Sequence, residues 1–246
     1  MIEIDFKITG KDKNLILGIL NQKSSKPSKK IIIWVHGLTG DINEYHIKHS
    51  TYEFVKKGFD VIRFGLYDSP AKCRKLENCT LQNHADDINS IIKQKCKEYK
   101  KVFIIGHSYG GPSVMVAQPK ADAVCLWDPS FDMKNVSWNT KNREIKKLTK
   151  DFYTRHWGYT FIIGKKMIDE GRKYTAEKCL ELSKKALFPI LVLTAEKGSY
   201  AKLPSYSDAG NNNNKRILIK DADHCFTKEF CLNKAIKETL KWFNKF

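Results

Sequence analysis

The chain has 246 residues, 41% of them apolar, and a formal net charge of +17, a size and composition that suit one α/β core with at most a modest insertion. Lysine supplies 38 of the 44 basic residues and is scattered along the whole chain; because readers of nucleic acid concentrate arginine on one element, the charge is read as a solvated surface and no specific nucleic-acid partner is expected. The seven cysteines are odd in number with no C-x-x-C pair, and neither an eighteen-residue apolar run nor a secretory leader is present, which argues against a disulfide framework, a zinc site and a transmembrane segment and leads us to expect a cytoplasmic protein with reduced thiols.

Residues 2–9 (IEIDFKIT) alternate apolar and polar, and a second apolar stretch, 14–20, follows a Gly-Lys-Asp-Lys turn, which predicts an opening hairpin. After the polar loop 21–30, KKIIIWVHG is a continuous apolar run of the kind a strand buried on both faces requires. A helix over about 46–57, a second buried run (FDVIRFGLY), a helix over about 81–99 and a third run (KVFIIG) continue the alternation. Later runs are ADAVCLWDPS, FPILVLTAE and KRILIKDADH, and an amphipathic helix, NKAIKETLKWFNKF, closes the chain. The predicted class is therefore α/β, a mostly parallel sheet with helices on both faces, in one domain. About 57 residues, 131–187, interrupt the alternation. A segment that long should carry structure of its own, and it is read as a helical insertion over the carboxyl edge of the sheet. Asn211 to Asn214 predicts an exposed loop tip.

The run KVFIIG ends in Gly106-His107-Ser108-Tyr109-Gly110. A strand that turns sharply into a helix strains its central residue and needs small neighbours on both sides, so Ser108 is the candidate nucleophile. The Tyr109 amide falls at a helix N-terminus, where it can stabilise negative charge. The run IIIWV likewise ends in His36-Gly37-Leu38-Thr39-Gly40. A backbone bent back at Gly37 would aim the Leu38 amide at the same oxygen, so Leu38 and Tyr109 are the candidate oxyanion donors. A serine nucleophile needs a base, and of the seven histidines only His224, in KDADHCF, stands just past a late buried strand.

These motifs in this order resemble the α/β-hydrolase superfamily, and the resemblance covers nearly the whole chain. HGLTG followed by Glu44 is similar to small acyl-ester hydrolases grouped with monoacylglycerol lipases and cinnamoyl esterases. The resemblance implies Ser108 as nucleophile, His224 as general base and then acid, no metal or organic cofactor, and an insertion at 131–187 that caps the pocket of a small acyl ester. One departure stands out. The family usually carries its triad carboxylate just after the penultimate strand, where this chain reads TAEKGS, with Gly198 at the expected place. Asp128, in LWDPS, ends the preceding strand as the acid of some lipases does, and is favoured; Glu196 is the alternative. The function expected is cleavage of a carboxylic ester or thioester through an acyl-enzyme. A non-catalytic binding protein on the same fold, and an acyltransferase with the same triad, are the alternatives. Phe152, Tyr153, Trp157, Tyr159 and Phe161 could line the pocket or form the insertion's own core.

Overall fold

Strand β3 (Lys30–Val35) has no polar alternation because both of its faces are covered, and from Ile31 onward every residue is buried. The computed structural model describes residues 1–138 and 144–246. Around β3 the chain runs from β1 (Ile2–Thr9) and β2 (Leu15–Gln22) through α1 (Tyr45–Lys56), β4 (Asp60–Phe64), α2 (Leu81–Lys95), β5 (Lys101–His107), α3 (Gly110–Ala117) and β6 (Ala123–Trp127). An insertion follows, with β7 (Ile145–Lys147), β8 (Phe152–His156), β9 (Thr160–Gly164), α4 (Lys165–Gly171) and α5 (Ala176–Lys185); the chain then returns through β10 (Ile190–Ala195), β11 (Lys215–Ile219) and α6 (Glu229–Phe243).

The main sheet has eight strands in the order β1-β2-β4-β3-β5-β6-β10-β11. The opening hairpin is antiparallel and joins β4 antiparallel, and every pairing from β4 to β11 is parallel. Successive side chains of a strand point to opposite faces, so the central strands feed two cores. Ile31, Ile33, Ile104 and Val124 meet α2 and α3 through Ile88, Ile91, Val114 and Met115. Ile32, Trp34, Phe103 and Trp127 meet α1 and α6 through Phe54, Leu232, Ile236 and Phe243.

The insertion differs from the helical reading. Its first part is a three-stranded antiparallel sheet, β7-β8-β9, and only 165–185 is helical, in α4 and α5. The physical reason lies in FYTRHWGYTFIIG, where aromatic and β-branched residues stand on both sides of Gly158, whose φ of +74° suits a tight hairpin. That turn signal, with His156 paired to Thr160 across it, is one a hairpin search would have caught. Residues 139–143 of the expected insertion lie outside the described residues. A third core, including Trp138, Ile163, Met167 and Ile168, ties the insertion to Leu38 and Tyr109 beside the carboxyl ends of β3 and β5.

Candidate active site

The register of the parallel strands fixes what meets at their carboxyl ends. His107 pairs with Trp127, and Trp127 pairs with Leu193, so the residues that follow, Ser108 and Asp128, stand side by side at the sheet edge. The Ser108 amide donates to Trp127 O at 3.1 Å and the Asp128 amide to Leu193 O at 2.7 Å, which continues the ladder one residue past each strand. Both residues are left-handed, with φ of 52° at Ser108 and 39° at Asp128. Such angles are costly away from glycine and turn each side chain out of the strand direction. The glycines around Ser108 are required by contact. A Cβ on Gly106 would stand 2.9 Å from Gly110 O, and one on Gly110 would stand 2.7 Å from His36 O.

The turns after β6 and β11 bring Asp128 and His224 to the serine. Ser108 Oγ lies 2.8 Å from His224 Nε2, and His224 Nδ1 lies 2.6 Å from Asp128 Oδ2. The other Asp128 oxygen accepts the Ala195 amide at 3.0 Å, so the carboxylate is held by the neighbouring strand. Its side chain is fully buried, while that of His224 is 38% exposed. The donor pattern follows: Nδ1–H donates to the carboxylate, which leaves Nε2 to accept the serine hydroxyl. Glu196, the alternative acid, instead accepts the Asp221 amide at 2.8 Å and is exposed.

Gly198 explains the departure at the end of β10. A Cβ there would overlap Asp128 Oδ2 and stand 3.0 Å from its Cγ. The place where a carboxylate was expected is thus filled by the carboxylate of the adjacent strand. Sequence reasoning missed this partnership, because a lone glycine in a loop carries no signal of what lies against it.

Three histidines brace the site. His36, which burial pushes down to about 4, donates from Nδ1 to Gly37 O at 2.8 Å and accepts the Leu66 amide at Nε2 at 3.0 Å. It therefore stays neutral and pins the turn after β3. A Cβ on Gly37 would stand 3.0 Å from Ser108 Cβ, so that turn passes directly against the serine. His107, which burial pushes well below the usual imidazole range, donates from Nε2 to the backbone oxygen of His224 at 2.9 Å. His46 is buried beside it, with ring centroids 4.5 Å apart. Glu44 Oε2, His46 Nε2 and His107 Nδ1 are buried without a hydrogen-bond partner among the described residues. One ligand atom from each of these residues lies within 4.8 Å of the others, a set that could hold a divalent cation.

A cavity of about 590 Å³ opens over the triad. From the sheet edge it is lined by Leu38, Ser108, Tyr109 and His224, and from the insertion by Trp138, Arg155, Trp157 and Tyr159. Leu38 and Tyr109, the candidate oxyanion donors, are thus both on the cavity wall that holds Ser108. The aromatic residues of the insertion divide. Trp157 and Tyr159 face the cavity, and Tyr159 Oη donates to Thr39 Oγ1 at 2.5 Å, whereas Tyr153 and Phe161 pack on the core around Trp138. Among the described residues, no helix is long and apolar enough to cross a membrane.

No protein-family model matches the sequence, and no match was found among curated proteins. Solved structures match over nearly the full length. Est1E from Butyrivibrio proteoclasticus, seen with ferulic acid bound, has a TM-score of 0.78 at 20% identity, covering 100% of both chains. The esterase domain of a Rhodothermus marinus protein has a TM-score of 0.76 at 14% identity, covering 98% of each chain. Mouse alpha/beta hydrolase domain-containing protein 10 has a TM-score of 0.73 at 18% identity, covering 98% of this chain and 99% of its own. The chain has the α/β-hydrolase fold.

Proposed function

We propose that the protein is a serine hydrolase that cleaves a carboxylic ester or thioester of a small molecule through an acyl-enzyme. The observation that carries this reading is the unbroken relay from Ser108 Oγ through His224 to Asp128, at 2.8 and 2.6 Å, on the wall of a cavity roomy enough for a small acyl ester. In the first half-reaction Ser108 Oγ attacks the carbonyl carbon as its proton passes to His224 Nε2, and Asp128 stabilises the imidazolium through Nδ1–H. The Leu38 and Tyr109 amides take the developing oxyanion, and each such donor is typically worth about 10²- to 10³-fold in rate. The tetrahedral intermediate collapses, and the leaving alcohol or thiol departs with the proton from His224. Water then repeats the sequence: it gives its proton to His224, attacks the acyl-serine and releases the acid, and Ser108 Oγ regains its proton.

On this reading the chain is one hydrolase domain whose insertion, 131–187, caps the site, and the triad needs no metal or organic cofactor for the chemistry. The solved structures named above include an esterase domain, which supports an ester as the bond cleaved. The non-catalytic alternative drew its support from the missing acid after β10, and an Asp128 carboxylate in that place removes the support. An acyltransferase would share every step up to the acyl-enzyme and differ only in the acceptor. All seven cysteines are free, which fits a reducing compartment such as the cytoplasm.

The test is hydrolysis of 4-nitrophenyl acetate, butyrate and octanoate by the wild type beside Ser108→Ala, together with labelling by a fluorophosphonate. Serine-dependent release and rapid labelling of the wild type alone are expected. Hydrolysis that survives in Ser108→Ala would refute the mechanism.

A further inference from the structure

One of the six arginines of the chain is spent in an unusual place. Arg155 lies on β8, the middle strand of the insertion sheet, and is only 3% exposed although it lines the cavity above Ser108. Its guanidinium lies against two indoles, with Cζ 4.7 Å from the Trp138 ring centroid and 4.0 Å from the Trp157 ring centroid. Such cation–π contacts favour the charge but satisfy none of the guanidinium N–H groups. Nε and Nη1 are buried and have no hydrogen-bond partner among the described residues. Among the described residues no carboxylate forms an ion pair with this arginine, although the charge of nearby Glu144 is felt there. Burial pulls the guanidinium down to about 10, so it remains cationic at neutral pH.

A buried cation whose N–H groups lack a hydrogen-bond partner among the described residues is expensive to maintain, and a buried donor without an acceptor costs about 1–3 kcal/mol. An acceptor supplied by the ligand removes that cost, and a planar fork edge is the shape that takes a carboxylate through two parallel bonds. The position relates the arginine to the chemistry. Its charge acts on Tyr200, whose ring centroid lies 6.1 Å from that of His224 and whose hydroxyl donates to Ser130 Oγ at 3.2 Å. Trp157, which lies against the guanidinium, is 40% exposed and stands next to Gly158 at the hairpin turn.

We propose that Arg155 is a substrate-binding residue that recognises an ionised carboxylate, so that the esters cleaved carry a second, charged carboxylate near the scissile bond. This inference rests on the esterase reading of Ser108, and it adds a ligand class that the triad alone does not specify. The ester bond and the carboxylate occupy different parts of one cavity: the carbonyl sits at Ser108, Leu38 and Tyr109, and the anion at the Arg155 guanidinium.

The experiment compares esters in matched pairs by pH-stat. Monomethyl succinate, glutarate and adipate are set against methyl butanoate, pentanoate and hexanoate for an anion on the acyl side, and 4-acetoxybenzoate against phenyl acetate for an anion on the leaving side. The quantity read is the ratio of kcat/KM for the charged ester to that of its uncharged partner. In the wild type at least one pair should favour the charged member by about 10- to 100-fold, the range expected of one charge-assisted hydrogen-bonded contact. Arg155→Met should remove that preference, and Arg155→Lys, which keeps the charge but not the fork, should restore only part of it. If Arg155→Met does not fold, the wild type still decides the matter: butanoate should inhibit hydrolysis of methyl butanoate at a concentration about tenfold or more below that needed for the uncharged butanamide. Equal turnover of charged and uncharged esters with normal fluorophosphonate labelling would overturn the carboxylate site and leave the serine hydrolase standing. An unaltered ratio in Arg155→Met would also overturn it. Absence of labelling would overturn the esterase reading itself.

Discussion

Replacing Gly198 with alanine tests the proposed triad at its least conspicuous member. The added Cβ would overlap Asp128 Oδ2 and stand 3.0 Å from Cγ and 3.1 Å from Oδ1. Carbon atoms pack comfortably at about 3.5–4.0 Å, so the carboxylate must retreat by roughly 0.5–1 Å. It has little freedom to do so, because Asp128 is fully buried and Oδ1 is tied to the Ala195 amide at 3.0 Å. The bond that gives way is the one to His224 Nδ1, which a retreat of that size stretches from 2.6 Å to the edge of hydrogen-bonding distance or beyond. Loss of the acid's support in a serine triad costs about 10⁴ in kcat, so a partial loss here should cost about 10²- to 10⁴-fold. The φ of Gly198 lies outside the left-handed region, so backbone strain does not contribute.

The assay is kcat/KM on 4-nitrophenyl butyrate for the wild type, Gly198→Ala, Asp128→Ala and the double variant. Once Asp128 is an alanine, the Cβ at 198 meets no carboxylate, so the second substitution should add almost nothing to the first. That non-additivity is the signature of two positions acting through one contact. A Gly198→Ala enzyme within about threefold of the wild type would refute the reasoning, as would losses that simply multiply in the double variant.

Two further outcomes separate the acids and the charges of the site. Asp128→Asn, which keeps the shape and gives the wrong donor to Nδ1, should lower kcat by about 10⁴-fold. Glu196→Gln, on an exposed side chain that only accepts the Asp221 amide, should leave kcat within about threefold and stability within about 0.5 kcal/mol, as measured by the same ester assay and by urea unfolding. Glu44 is the pH-sensitive group: burial, and then the neighbouring Asp41 charge, push its carboxyl up to about 7. Because its folded pKa lies above its unfolded value, the native state holds a proton that the unfolded chain has lost. The contribution of this group to stability is therefore full at low pH and falls as pH rises through 7. Glu44→Gln abolishes that fall, so its melting temperature relative to wild type, measured in the presence of EDTA, should rise between pH 5 and pH 8. A difference that stays constant or shrinks over that range would contradict the assignment.

The parts of the molecule legible from sequence are those whose cause is local. Runs such as IIIWV and VFIIG declare buried parallel strands by lacking alternation, and the glycines around Ser108 declare a tight turn because no side chain fits there. His224 could be singled out by chain order together with its place just past a late buried strand. The insertion is harder to read because KKMIDEG and AEKCLELSKK do make helices, beside a stretch whose β-branched residues and Gly158 point instead to a hairpin. Arg155 was invisible for a different reason. An arginine among aromatic residues on a short strand is read as solvent-facing by default, and its burial against Trp138 and Trp157 is a matter of tertiary packing.

The acid illustrates the boundary between the two kinds of information. Sequence could offer Asp128 and Glu196 but not decide, because both end buried strands. The decision is made by register: Trp127 lies between His107 and Leu193, so the residue after it is adjacent both to the serine and to the loop after β10. From that place a carboxylate reaches the same side of the imidazole that one at 198 would reach, and the two cannot be present together, because the Cβ of any residue at 198 would overlap Asp128 Oδ2. An aspartate after β6 and a glycine after β10 are thus one structural decision written at two positions seventy residues apart. What looks in the sequence like a missing acid is the space that the existing one requires.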